Sequence, residues 1–154
     1  MKRVLIVLLI IIGVTSCKNQ GASANKDIVV SAEDLHTTVD KVTQIMIHDI
    51  FSPPVASRIF AYPNVAAYEI VAQHNPKYKS LAGQLNGLTP IPQIDTVSGI
   101  NPNLSALIAH MTISKQLIFS EDKFEVLEDS LYQSWRQTNA LQFEASKSYG
   151  LAVA

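Results

Sequence analysis

The chain carries one cysteine, at position 17, which excludes an internal disulfide framework and any cysteine-rich zinc site. It has no excess of either charge: 12 Lys and Arg stand against 13 Asp and Glu, a net −1. A nucleic-acid binder would gather a basic excess on one face, and there is none to gather. The same balance, with an apolar share of 47%, excludes a disordered acidic tail and fits a globular chain. No short repeat recurs. The Gly-x-Ser-x-Gly elbow, the Walker loop and the dinucleotide fingerprint are all missing. The four histidines, His36, His48, His74 and His110, contain no pair at i,i+4, so no single helix face offers two imidazoles to a metal. They are expected to be ordinary surface or half-buried residues. At 154 residues the chain has room for one domain at most.

What is present begins with an export pattern. Lys2 and Arg3 precede an apolar run over residues 4–14, broken only by Gly13. The run is too short to span a bilayer, which takes about 20 residues, and has the flanks of a secretory h-region. It ends in Val14-Thr15-Ser16-Cys17, which resembles the lipobox of bacterial lipoproteins. The expectation is a signal peptide over 1–16, lipid attachment at Cys17 and export to the cell envelope, with the anchor providing the membrane contact. Residues 18–27, KNQGASANKD, are small and polar, so 17–27 reads as a flexible tether and 28–154 as the folded part.

The folded part reads as all-α, about five helices with a long irregular connection over residues 77–101. Ser31 is a good N-cap, with Glu33 and Asp34 in the first turn and a Val30–Leu35 staple. Leu35, Val39, Val42, Ile45, Met46 and Ile50 form one stripe. Ser52-Pro53-Pro54 stops this helix and starts a second that runs to His74, kinked or split at Pro63. That second helix is apolar on many sides and is expected at the centre of the bundle. Tyr78, Leu81, Leu85, Leu88 and Ile91 are expected to pack the connection against it, with one turn over 81–85. Asn101-Pro102 opens a third helix ending near Phe119, and Ser120 caps a fourth bearing Phe124, Leu127, Leu131 and Trp135. A fifth starts near Asn139 with Leu141, Ala145, Ser148 and Ala152 on its inner stripe, small enough for close helix approach. That pattern breaks off at Ala154 without a cap, so the domain is expected to be incomplete.

Chemistry-bearing residues are sparse. Arg58, Asp49 and Glu69 stand out as charges in or beside the apolar second helix. Arg58 reads either as an anion-binding group facing a cavity or, preferably, as the partner of Asp49 or Glu69 in a packing ion pair. Tyr62, Tyr68 and Tyr78 read as amphipathic packing residues. No catalytic, cofactor-binding or metal-ligating residue is assigned.

One stretch, residues 52–72, SPPVASRIFAYPNVAAYEIVA, resembles the N-terminal helical signature of vanadium-dependent haloperoxidase-like proteins, which belong with the type 2 phosphatidic acid phosphatases. Pro53-Pro54, Arg58, Ala66-Ala67 and Tyr68-Glu69 follow that signature in order. Residues 78–83 look like the continuation in exported, lipoprotein-type members, and residues 146–154 like the start of a later helix of the family. The resemblance implies an all-α protein whose C-terminal bundle binds vanadate or phosphate through a lysine, two arginines, a Ser-Gly-His segment and a second histidine. None of those segments occurs here. The chain is therefore expected to be an N-terminal scaffold, inactive alone, whose partner is the C-terminal catalytic bundle of the same protein. Vanadate would belong to that longer protein, and this chain would hold no cofactor. The competing expectation is a complete small helical lipoprotein serving as a binding or interaction module.

Overall fold

The computed structural model describes residues 26–93 and 99–154. The export signal, Cys17 and the tether up to residue 25 lie outside the described residues, as do 94–98 of the long connection. Five helices follow one another: α1 Ala32–His48, α2 Pro53–His74, α3 Pro102–Gln116, α4 Glu121–Thr138 and α5 Ala140–Val153. Among the described residues there is no strand, and the all-α expectation holds.

Local chemistry explains most boundaries. Ser31 caps α1 in a full capping box: its hydroxyl accepts from the Asp34 N–H while the Asp34 carboxylate accepts from the Ser31 N–H at 2.7 Å. The α1 C-terminus closes as a Schellman motif, with Phe51 N–H donating to Met46 C=O and Ile50 N–H to Ile47 C=O. That motif needs a left-handed residue, normally glycine, and here Ile50 takes it at φ +57°. Ile50 was expected on the buried stripe, yet it lies past the helix end and is 88% exposed. A β-branched residue in this region costs about 1–2 kcal/mol. Ile50→Gly is therefore expected to raise the urea midpoint by an amount equivalent to about 1 kcal/mol, and a lower midpoint would contradict the motif.

Pro53 and Pro54 occupy the first turn of α2, where missing N–H groups cost nothing. Pro63 does not split the helix, which continues through it for 22 residues in all. The helix at the centre, however, is α3 rather than α2. Every residue from Leu104 to Met111 is buried, while Val55, Phe60 and Tyr62 of α2 are exposed. α3 packs between α2 and α5, with α1 and α4 against it as well. It stops at Gln116, so Phe119 lies outside it and is 78% exposed.

Two apolar clusters result. The larger joins Val42, Ile45 and Met46 of α1 to Leu104, Ile108 and Met111 of α3, Phe124 and Trp135 of α4 and Phe143 of α5. Tyr132, Trp135 and Phe143 meet as a ring cluster at its edge. The smaller sets Ala66 and Ile70 of α2 against Ala106 and Ala109 of α3 and Tyr149 of α5. The expected inner stripe of α5 is wrong in phase. Leu141, Ser148 and Ala152 are exposed, and Phe143, Ser146, Tyr149 and Gly150 face inward. Small residues do permit the close approach, but they are Ser146 and Gly150. Ser105 Oγ donates to Ser146 C=O at 3.0 Å across that contact.

The connection after α2 is irregular in its described part. Leu85 N–H donates to Leu81 C=O, which makes the single turn expected there. Leu81, Leu88 and Ile91 are half-buried, and Tyr78, although half-exposed, sets its ring edge-to-face against Tyr68 of α2 at 6.2 Å, whereas Leu85 is exposed.

Candidate functional site

The three charges singled out in the sequence do not come together. Arg58 is exposed and makes no ion pair with a described residue. Glu69, 1% exposed, takes its hydrogen bonds from the connection instead: Ser80 Oγ donates to it at 2.5 Å and Leu81 N–H at 2.6 Å. Its neighbour Tyr68 donates to Lys79 C=O at 2.9 Å. The two residues therefore pin the 79–81 backbone onto α2. Glu69→Ala would leave a half-buried N–H without an acceptor, at a cost of about 2–3 kcal/mol. Amide exchange at Leu81 should then accelerate well beyond that at α3 amides, and unchanged protection would refute the pin.

Asp49 does not pair with Arg58. Its carboxylate accepts from the Phe119 and Ser120 N–H groups, each at 3.0 Å, and from the Ser120 hydroxyl at 2.5 Å. The Ser120 hydroxyl, together with His48 and the two N–H groups, holds the Asp49 carboxyl far below the usual carboxylate range. Ser120 is the N-cap of α4 as expected, but it makes no capping bond with its own side chain. The end of α1 is thereby riveted to the start of α4. His48, Asp49 and Ser120 resemble a nucleophile–base–acid trio only in composition. The serine proton goes to Asp49, and His48 Nδ1 sits 3.1 Å from Asp49 and 3.5 Å from Ser120 Oγ. No imidazole nitrogen is placed to take that proton and pass charge to a separate carboxylate. The Phe119 and Ser120 N–H groups are already engaged by Asp49 and are not free to hold an oxyanion.

His110 corrects the expectation of surface or half-buried histidines. It is 3% exposed on α3, and its Nδ1 has no hydrogen-bond partner. Burial draws its pKa down to about 4, so the ring is neutral at pH 7. Ser114, one turn later, also has an unpartnered hydroxyl. Elsewhere Lys115 bonds Glu128 at 2.7 Å, which raises the lysine pKa and closes the α3–α4 seam.

These groups do not fit a vanadate or phosphate seat. Such an oxyanion needs converging cations and free N–H donors. Arg58 stands alone and exposed, and prolines at the start of α2 remove two of the N–H groups its N-terminus would present. The first turns of α1, α3 and α5 are capped by Ser31, Asn101 and Asn139, and just before α4 the Asp49 carboxylate occupies the Phe119 and Ser120 N–H groups. Among the described residues there is also no group of three His, Cys, Asp or Glu able to hold a metal ion. No described helix is long and apolar enough to cross a membrane.

An apolar groove of about 630 Å³ opens beside α1, α2 and α3. Val30 and Leu35 form one wall, Asn64, Tyr68 and Val71 of α2 the other, and Leu107 of α3 part of the floor.

A crystal structure described as the first bacterial vanadium-dependent iodoperoxidase aligns with this chain at 62% identity and a TM-score of 0.82. The alignment covers 84% of this chain. The chain belongs to the haloperoxidase-like superfamily. Neither a protein-family model nor a curated protein matches it. The haloperoxidase-like chain spans about a third of the length of that relative, 32% of it. Sequence reasoning found the family through the double-proline helix. It did not find the groove, which forms where the start of α1, the later turns of α2 and the first turns of α3 meet.

Proposed function

We propose that the chain is the N-terminal, lipid-anchored helical scaffold of a vanadium-dependent haloperoxidase-like protein, with the oxyanion-binding catalytic bundle lying beyond Ala154. The observation that carries this reading is the alignment itself: 62% identity over most of this chain but only 32% of the iodoperoxidase. An iodoperoxidase as the relative favours peroxide-driven halide oxidation over phosphomonoester hydrolysis as the reaction of the whole protein. Anchoring through Cys17 rests on the lipobox resemblance.

The test is a chimera in which residues 26–154 replace the matched third of the iodoperoxidase. The chimera is expected to oxidise iodide with peroxide when vanadate is supplied, and the 154-residue chain alone to show no such activity. Activity of the chain alone, or a dead and non-cooperatively melting chimera, would overturn the scaffold reading. The anchor is checked separately: Cys17→Ala should abolish labelling by a radioactive fatty acid.

A further inference from the structure

The groove between α1 and α2 has a shape and chemistry that restrict what can fill it. Most of its lining, Leu35, Asn64, Tyr68, Val71 and Leu107 included, is side chains of helices whose backbone groups are paired within each helix, while Val30 and Tyr78 add side chains from irregular chain. An extended strand laid along these helices would find no continuous ladder of backbone partners, and most of its own polar groups would be stranded. A helix satisfies its backbone internally and presents only side chains. Ridges of such a helix pack into grooves at interaxial distances of about 8–10 Å.

The lining supports a large apolar contact. Leu35, Val71 and Leu107 are aliphatic, and Tyr68 adds a ring whose hydroxyl is already bound to Lys79. The same stripe of α2 runs back from Ala67 through Asn64 to Phe60, which is 36% exposed although it is fully aromatic and apolar. An apolar cleft flanked by such a residue is a mark of an interaction surface. The solved relative also contains about two-thirds of a chain that has no counterpart here.

We propose that this groove is the seat of an apolar helix from the remaining two-thirds of the haloperoxidase-like polypeptide. The occupant lies between α1 and α2 over the first turns of α3, and covers Ala67 and Phe60. This rests on the scaffold reading above and specifies where the scaffold meets its catalytic part.

Thiol protection tests it, because residues 26–154 contain no cysteine. Ala67→Cys in the groove and Val126→Cys on the exposed face of α4 (74% exposed) are made in both the 154-residue chain and the chimera. Maleimide labelling is followed peptide by peptide with mass spectrometry. Position 67 is expected to react at least 100-fold more slowly in the chimera than in the chain alone, and position 126 at similar rates in both. Equal rates at 67 in an active chimera would overturn the groove proposal and leave the scaffold reading intact. A chimera with neither activity nor cooperative melting would remove both. Protection of 67 that grows with concentration of the chain alone would name a second copy as the occupant and overturn the proposal.

Discussion

Gly150→Leu is expected to be the most damaging single substitution in the described fold. A Cβ at position 150 would sit 2.7 Å from the Ser105 carbonyl oxygen and 3.1 Å from both Cβ and Cγ2 of Ile108. The first contact is with backbone, so no rotamer change relieves it, and α3 or α5 must move bodily. α3 has nowhere to retreat, because α2 packs on it with Ala66 and Ile70 against Ala106 and Ala109. Moving α5 instead would break the bonds from Asn101 N–H to Ser146 Oγ and from Ser105 Oγ to Ser146 C=O. Overpacking of this kind costs about 1–3 kcal/mol and occasionally more. The better helix propensity of leucine returns up to about 0.8 kcal/mol. A net loss of about 2 kcal/mol is a large part of the roughly 5–15 kcal/mol that holds a domain together. It should lower the melting temperature by several degrees. Gly150→Ala should fall between the two. A variant as stable as the parent would mean that α3 and α5 do not approach as closely as described.

The same contact shows why part of the fold was legible in the sequence and part was not. Ser31 with Asp34, Pro53-Pro54 and Asn101-Pro102 act within one turn of chain, so their chemistry can be read locally, and each sits where it was expected. The inner face of α5 is decided by α3 instead. A stripe through Leu141, Ala145, Ser148 and Ala152 has helical spacing and small residues, but the seam is built two positions round the helix from Ser146 and Gly150, a phase that only contact with α3 decides. The preference for α2 as the central helix fails for a related reason. Val55, Phe60 and Tyr62 make it apolar all round, and they remain exposed among the described residues.

The charged residues were read as though each needed a charged partner. Glu69 and Asp49 are instead satisfied by hydroxyl and backbone donors from segments distant in sequence, Ser80–Leu81 in one case and Phe119–Ser120 in the other. Nothing in residues 45–72 announces those donors. A carboxylate beside an arginine in sequence suggests a pair, but a carboxylate beside a loop that needs its N–H groups met is the arrangement folding selected. The superfamily was legible because it rests on a contiguous motif. The groove was not, since Leu35, Tyr68 and Leu107 meet only after the chain has folded.

His110 sets the second large effect, on stability against pH. Its pKa is about 4 in the folded chain and 6.5 when exposed, so between these values the unfolded chain binds more protons. Stability therefore rises with pH through that window: it is complete above about 6.5 and is lost progressively as pH falls towards 4. The full difference corresponds to about 3 kcal/mol. The physical cause is that an imidazolium here would be a buried cation whose Nδ1–H finds no acceptor among the described residues. His110→Leu removes the titration and fills a similar space, so its urea midpoint should stay flat between pH 6.5 and 4.5 while that of the parent falls. Asp49 supplies an internal control, a pKa lowered in the same direction but acting in a more acidic window. Its lowered pKa stabilises the fold above about 3.8, and that stabilisation is lost only as pH drops below it. The acid limb below pH 4 should accordingly survive in His110→Leu and shrink in Asp49→Asn. A parent protein whose midpoint is level from pH 6.5 to 4.5, or one that falls as steeply with leucine at 110, would show that His110 is not held neutral by the bundle.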